Sequence, residues 1–291
     1  MLHDIYASQE ESSRYSLSSF IKKSTFIEVA EEISIQNKTH RKEFVMTLDD
    51  GLTEHYWAAK TLNDLGIKTY VFAPFNPIFR DHIIHSHLIQ YLVTSKYKLE
   101  IFFYIEKFLL QANITESEIT KYKQNNYPNS SWTNEMVFIT KVLRYSIYGK
   151  QLTNDLFNEF ISKKEKLNSK NLYMKPKDLE EISKLENILI GGHGGNSDIL
   201  TETKSLNEEI NLSYKMLEEL CIKNKYFAYP NGIYNENIIK ALKVKGFNKA
   251  FSTEFKNNNV KNNEEYKINR IDLATLLRSS SNTIKDIFNN F

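Results

Sequence analysis

The sequence predicts an α/β fold, a barrel or a doubly wound parallel sheet, and three observations predict it. Short apolar, partly β-branched runs alternate with amphipathic helical stretches. Near position 50, a strand, a helix and a second strand fit within about thirty residues, the size of a βαβ unit, which favours parallel pairing. Between residues 80 and 185 the alternation gives way to long apolar side chains at helical spacing, with no glycine until Gly149. That stretch marks a helical insertion within a single domain spanning residues 1–291.

Residues 43–48 (Glu-Phe-Val-Met-Thr-Leu) form a buried strand that ends at the tight turn Asp49-Asp50-Gly51. Thr53 is placed to cap the next helix, whose Trp57, Ala58, Thr61, Leu62 and Leu65 share a face and which stops at Gly66. Residues 68–73 give the second strand, halted by Pro74 and Pro77. In the second half, Ile188-Leu189-Ile190 is a short strand before a glycine-rich loop at residues 191–198. Ser205 and Glu208 have capping-box spacing. They open a helix with Ile210, Leu217, Leu220 and Cys221 on one face, so Cys221 is expected to be a buried helix residue. Residues 226–229 are a strand stopped by Pro230-Asn231-Gly232. A helix through Ile238, Ile239 and Leu242 then ends at Gly246, and residues 249–253 give one more strand. Residues 255–266, rich in Asn and Lys, hold little to bury and are expected to be an exposed loop.

The 291 residues are 41% hydrophobic and 25% charged with only 9 Gly and 5 Pro, which excludes collagen-like and disordered chains. A net charge of +2 supplies no strong field for nucleic acid or an acidic membrane. The single cysteine cannot form an internal disulfide, and no Cys/His set has zinc-finger spacing, so a reducing compartment is expected. No basic segment leads into an apolar signal core, and the most apolar stretch, residues 101–110, is cut by Glu106 and Lys107. It falls well short of the ~20 residues of a membrane span. A soluble cytoplasmic protein without a membrane span or a nucleic-acid partner is expected.

Asp49 and Asp50 stand at the C-terminal end of a buried strand, where α/β folds gather catalytic groups. Adjacent residues there point to different sides, so one can hold a cation while the other handles a proton. Asp-Asp-Gly is also a common turn signal. Further motifs follow in order: Thr47-Leu48-Asp49-Asp50-Gly51, Ile190-Gly191-Gly192-His193, Phe227-Ala228-Tyr229-Pro230-Asn231-Gly232 and Lys245-Gly246-Phe247-Asn248-Lys249-Ala250-Phe251. His3-Asp4-Ile5 and Tyr15-Ser16-Leu17 precede them, and Asn269-Arg270-Ile271 follows. This set resembles the polysaccharide deacetylase family, the NodB-homology carbohydrate esterases, over roughly residues 1–80 and 170–273. Residues 77–92 resemble a subgroup tied to bacterial surface-glycan assembly, which carries a His-rich helix at this point.

The resemblance implies a distorted (β/α) barrel of the NodB-homology type, with the helical stretch as an insertion. It implies that Asp49 is the general base that takes a proton from the attacking water. Asp50 and His193 become ligands of a divalent, zinc-like metal that polarises the acyl carbonyl. The backbone N–H of Tyr229 becomes the oxyanion donor, and His3, His82, Pro230 and Asn231 are expected at the substrate. Three departures accompany the likeness. Ser197 stands where the family has a second ligand histidine, and the neighbouring Asp198 is the carboxylate that can replace it. No histidine follows His193 to serve as the late general acid, and His85, three residues from His82, is the candidate substitute. The alternative for this pair is a polar helix flank with Leu88, Tyr91 and Leu92 packed inward. The arginine that positions the base ahead of the Tyr-Pro loop is missing, with Lys225 as a distant stand-in. Trp57 and Trp132 are expected mainly in the core.

The implied function is removal of an acyl group, acetyl above all, from a sugar or a surface-polysaccharide precursor by a metal-dependent hydrolase. The alternative is a catalytically degenerate family member that binds a glycan or a protein. Asp49, Asp50 and His193 favour the first; Ser197 and the empty acid position favour the second.

Overall fold

The computed structural model describes residues 4–6, 20–39, 43–124, 132–163, 172–253, 265–279 and 283–289. His3 and nearly all of the expected loop at 255–266 lie outside the described residues. Two short strands, β1 (Asp4–Tyr6) and β2 (Phe20–Lys22), pair in parallel as a sheet of their own. Six more form one all-parallel sheet in sequence order: β3 (Met46–Asp49), β4 (Thr69–Ala73), β5 (Ile188–Gly192), β6 (Tyr226–Ala228), β7 (Lys249–Ser252) and β8 (Ile268–Asn269). The expected strands are therefore present, with ends shifted by a few residues.

Two compact units divide at His82 and Ile83. The sheet unit holds α1 (Lys23–Thr39), α2 (Thr53–Asp64), α3 (Phe75–Phe79), α9 (Pro176–Ile182), α10 (Leu206–Glu219), α11 (Glu236–Lys245), α12 (Leu273–Ser279) and α13 (Ile284–Asn289). The helical unit holds α4 (His85–Thr94), α5 (Lys98–Gln111), α6 (Glu116–Lys123), α7 (Asn134–Tyr145) and α8 (Gly149–Leu156), which runs into a π-helical turn at Phe157–Ser162. Its own core is built from α4, α5 and α7, with Leu88, Tyr91, Leu92, Ile101, Ile105 and Leu143 among the buried residues. Thr115 and Glu118 form a reciprocal capping box at the start of α6. No helix among the described residues is long and apolar enough to cross a membrane.

The sheet is strongly curled. Strands sit about 4.8 Å apart, so β3 and β8, five steps apart, would lie about 24 Å from one another in a flat sheet. Arg270, directly after β8, nevertheless reaches Asp49 at the end of β3 with a 2.6 Å contact. The six strands thus bend into a half-barrel. Tyr70, Phe72, Ala228 and Phe251 form a buried cluster, with Leu189, Tyr226 and Ile268 packed against it. Gly191 is required there, because a Cβ at this position would lie 2.5 Å from the Phe72 ring. Gly192 points to the other side, where a Cβ would meet Ser213 of α10 at 2.7 Å.

Several local expectations change. Thr53 lies inside the first turn of α2, whose N-cap is Leu52 and makes no side-chain cap bond; the Thr53 N–H donates to the Leu172 carbonyl. Ser205 makes no side-chain cap bond either, so the capping box expected with Glu208 does not form. Cys221 is exposed and sits beyond α10 with φ 55°, so it is a turn residue after the helix and not a buried one. The 17-residue helix α1 carries Phe26, Val29, Ala30 and Ile33 inward. That i, i+3, i+4, i+7 pattern was the overlooked signal for it.

Candidate active site

The chemistry gathers at the C-terminal ends of β3, β4 and β5 and in the segments that follow β6 and β8. Asp49, 1% exposed, is gripped by Arg270, whose Nη1 and Nη2 donate to Oδ1 at 2.6 Å and to Oδ2 at 2.9 Å. Nη1 also donates to Thr47 Oγ1 and Nε to the Ser252 carbonyl, both at 3.2 Å. The guanidinium lies 5.3 Å from the centre of the Phe72 ring. A planar five-donor group held at so many points fixes the carboxylate plane as a lysine could not.

Asp50 is turned the other way. Its φ of 77° is left-handed, which the next residue, Gly51 (φ 65°), continues into the turn. A Cβ on Gly51 would press on Ile78 Cδ1 at 3.0 Å and Ala73 Cβ at 3.2 Å, so the Asp-Asp-Gly tripeptide is set by packing as well as by chemistry. The turn is tied to residues 172–174 by Thr53 N–H to the Leu172 carbonyl and Met174 N–H to the Gly51 carbonyl.

Against Asp50 Oδ1 stand two groups from the loop after β5, Ser197 Oγ at 3.1 Å and His193 Nε2 at 3.5 Å. His193 is 2% exposed, and its Nδ1 lies 2.9 Å from the Ala228 carbonyl. A carbonyl only accepts, so Nδ1 carries the proton, and in the neutral ring Nε2 presents its lone pair to the carboxylate. Two acceptors facing one another need a proton or a cation between them. The donor set is therefore suited to a divalent cation, with one imidazole and one carboxylate supplemented by a hydroxyl.

The loop itself is anchored from beneath. Glu209 of α10, 3% exposed, accepts the backbone N–H groups of Gly195 (2.8 Å) and Asn196 (2.9 Å) on Oε2 and the Asn196 amide on Oε1 (2.6 Å). Asn76 Nδ2 donates to Asn196 Oδ1 at 2.7 Å, and the N–H groups of Phe75 and Asn76 donate to the Gly194 and Gly195 carbonyls. Burial pushes the Glu209 carboxyl above its ordinary value. A Cβ on Gly194 would lie 3.8 Å from Pro230, which brings the short turn after β6 alongside.

No protein-family model matches the sequence, and no curated protein matches it. Solved structures do. The Streptococcus pyogenes deacetylase PplD in complex with acetate aligns over 97% of this chain and 96% of its own, at TM-score 0.52 and 13% sequence identity. A de-N-acetylase from Aggregatibacter actinomycetemcomitans aligns over 100% and 97%, at TM-score 0.53 and 12% identity. A polysaccharide deacetylase from Bacillus cereus aligns at TM-score 0.54 and 11% identity, and this chain spans 66% of its length. The chain has the polysaccharide deacetylase fold.

On this deacetylase fold, Asp49, Asp50 and His193 come together, and the arginine that meets Asp49 is Arg270, after β8 and not ahead of the Tyr-Pro loop. Lys225 is no stand-in, for it precedes β6 and pairs with Glu218 at 3.0 Å, at the opposite end of the strands from Asp49. The expectation for Tyr229 is overturned: its N–H donates to the Phe251 carbonyl at 2.9 Å, extending the β6–β7 ladder, and is not available to an oxyanion. Its ring is fully buried, its hydroxyl donates to the Tyr266 carbonyl, and burial pushes the phenol far up. Asp198 does not complete a ligand trio, since no group of three His, Cys, Asp or Glu side chains suited to a metal ion occurs among the described residues. The further polar group at Asp50 Oδ1 is the Ser197 hydroxyl, at 3.1 Å. Asn231 adopts φ 55° in the turn, and its carbonyl accepts from Thr253 Oγ1 at 3.4 Å.

His82 and His85 do not share a helix face, because α4 begins at His85 and His82 lies in the irregular segment before it, its N–H donating to the Arg80 carbonyl. His85 belongs to the helical unit, where its Nε2 is 3.1 Å from the Leu143 carbonyl. That bond ties it into its own unit's packing, as the polar-flank alternative has it. Trp57 packs on Phe26 with ring centres 5.5 Å apart. Glu209, Asn196 and Asn76 are the members that sequence reasoning missed. An apolar-period helix with a glutamate in its first turn reads as dipole compensation, which hides a buried role.

Proposed function

We propose that this protein is a cation-assisted hydrolase that removes an acetyl group from a carbohydrate, of the kind found in surface polysaccharides or their precursors. One observation carries the reading: two consecutive carboxylates have opposite surroundings, Asp49 clamped by Arg270 and Asp50 faced by His193 and Ser197. Asp49 accepts the proton of the attacking water, and the bidentate guanidinium keeps its plane fixed for that transfer. Asp50, His193 and the Ser197 hydroxyl hold a divalent cation, zinc being the expected ion. Such a cation, when bound, polarises the acyl carbonyl and lowers the pKa of water. The Ala228 carbonyl keeps His193 in the tautomer that leaves Nε2 open. The names of the structural neighbours, deacetylases with a polysaccharide deacetylase among them, support the substrate class.

The test is acetate release from an N-acetylated oligosaccharide, with and without chelator, by the wild type and Asp49→Asn. Loss of about 10²- to 10⁴-fold in the variant is expected, together with loss on chelation and recovery on adding a divalent metal. Equal rates for the two proteins would remove Asp49 as the base, and oligosaccharide binding without acetate release would make the protein a binding module.

A further inference from the structure

We infer that Glu209 is a positioning residue for the cation site, acting through the loop that carries His193 and Ser197. The inference rests on the proposed cation site and deepens it. His193 and Ser197 face one oxygen of Asp50 from a loop that contains two adjacent glycines, Gly194 and Gly195, and two left-handed residues, Gly194 (φ 80°) and Ser197 (φ 59°). Such a segment has little conformational preference of its own to hold that geometry. Beside the bonds from Phe75 and Asn76 to the Gly194 and Gly195 carbonyls, a buried carboxylate holds it from beneath. Oε2 gathers two consecutive backbone N–H groups, and Oε1 takes the Asn196 side chain.

Packing tightens the clamp. A Cβ on Gly194 would lie 2.9 Å from Oε2 and one on Gly195 3.1 Å from Oε1, so the glycines admit the carboxylate against the chain. The pattern extends outward with a fixed polarity. Because Oε1 accepts, Asn196 presents Nδ2 to it and Oδ1 to Asn76 Nδ2, and Asn76 sits in α3 on the neighbouring strand's exit. Glu209 thus joins the exits of β4 and β5 and sets where the two cation-facing side chains stand.

Reach and charge make separate predictions. Glu209→Gln keeps the length, so its single oxygen still accepts both N–H groups while the amides of Asn196 and Asn76 reverse. Glu209→Asp keeps the charge, but the shortened arm no longer spans to both N–H groups. The experiment is titration of the purified full chain with Co²⁺, followed by calorimetry and by the visible absorption of the bound ion, with circular dichroism to confirm folding. Glu209→Asp and Glu209→Ala are expected to weaken Co²⁺ binding about 10- to 100-fold and to alter the absorption bands. Glu209→Gln is expected to stay close to the wild type. Wild-type affinity and spectrum in Glu209→Asp would overturn the inference, and so would a loss in Glu209→Gln with retention in Glu209→Asp, which would make the effect one of charge alone. If Glu209→Ala does not fold, the Asp and Gln pair decides. A wild type that binds no Co²⁺ would instead refute the cation site itself, and the inference with it.

Discussion

At the scale of single residues, Tyr229 and His193, from two separate motifs, have different surroundings and different duties. The Tyr229 N–H continues a sheet ladder and its hydroxyl is bonded to the Tyr266 carbonyl. Tyr229→Phe should therefore cost about 1 kcal/mol of stability, the worth of an ordinary hydrogen bond. Acetate release per folded molecule should stay the same; a large fall in turnover with unchanged stability would return Tyr229 to the chemistry. The acidic pair and His193 were legible in the sequence because residue type and strand-end position carry that chemistry directly. Ser197 was visible as a departure from the family likeness, but its contact with Asp50 depends on a left-handed φ that no side chain announces.

At the scale of elements, the exits of β4 and β5 decide the geometry, and two glycines there and elsewhere behave differently. Gly191→Ala drives a Cβ into the Phe72 ring, on which Arg270 rests, and should cost about 1–3 kcal/mol as an overpacked core. Gly66 has φ 71° and nothing within 4 Å of a Cβ, so Gly66→Ala should cost only the left-handed backbone penalty, about 1–2 kcal/mol, and leave turnover intact. Denaturant midpoints and acetate assays on both variants check the contrast.

Glu209 adds a pH signature to the same elements. Burial raises its folded value above the ordinary 4.5, so the folded chain binds that proton more tightly than the unfolded chain. Its contribution to stability is full below about pH 4.5 and declines as pH rises through the folded value. The stability of the wild type relative to Glu209→Gln should therefore grow as pH falls from 7 to 5. A change of the opposite sign would mean that the three bonds to Oε1 and Oε2 outweigh burial. Helix periods, strand runs and the glycine stops at Gly66 and Gly246 were readable along the chain, whereas N-caps were not: Thr53 and Ser205 have capping chemistry, yet neither makes a side-chain cap bond.

At the scale of the sheet unit as a whole, the curl of six strands is maintained by a buried ion pair between its two edges. Removing one partner of such a pair leaves a stranded charge, so Arg270→Met should destabilise by about 3–5 kcal/mol and abolish turnover. Arg270→Lys should recover little of either, because one ammonium cannot make two parallel bonds to the carboxylate. Urea unfolding and acetate release measure both; full rescue by lysine would show that charge alone suffices. Parallel order and fold class could be foreseen from alternating elements, but this long-range pairing could not, as nothing local links positions so far apart.

Asp49 and Arg270 are separated by 221 positions along the chain. The acid is made well before its counterion and gains that partner only once β8 has docked. A molecule interrupted before Arg270 lacks the group that clamps Asp49, so the proposed acetate release is expected only from chains in which β8 has joined the sheet.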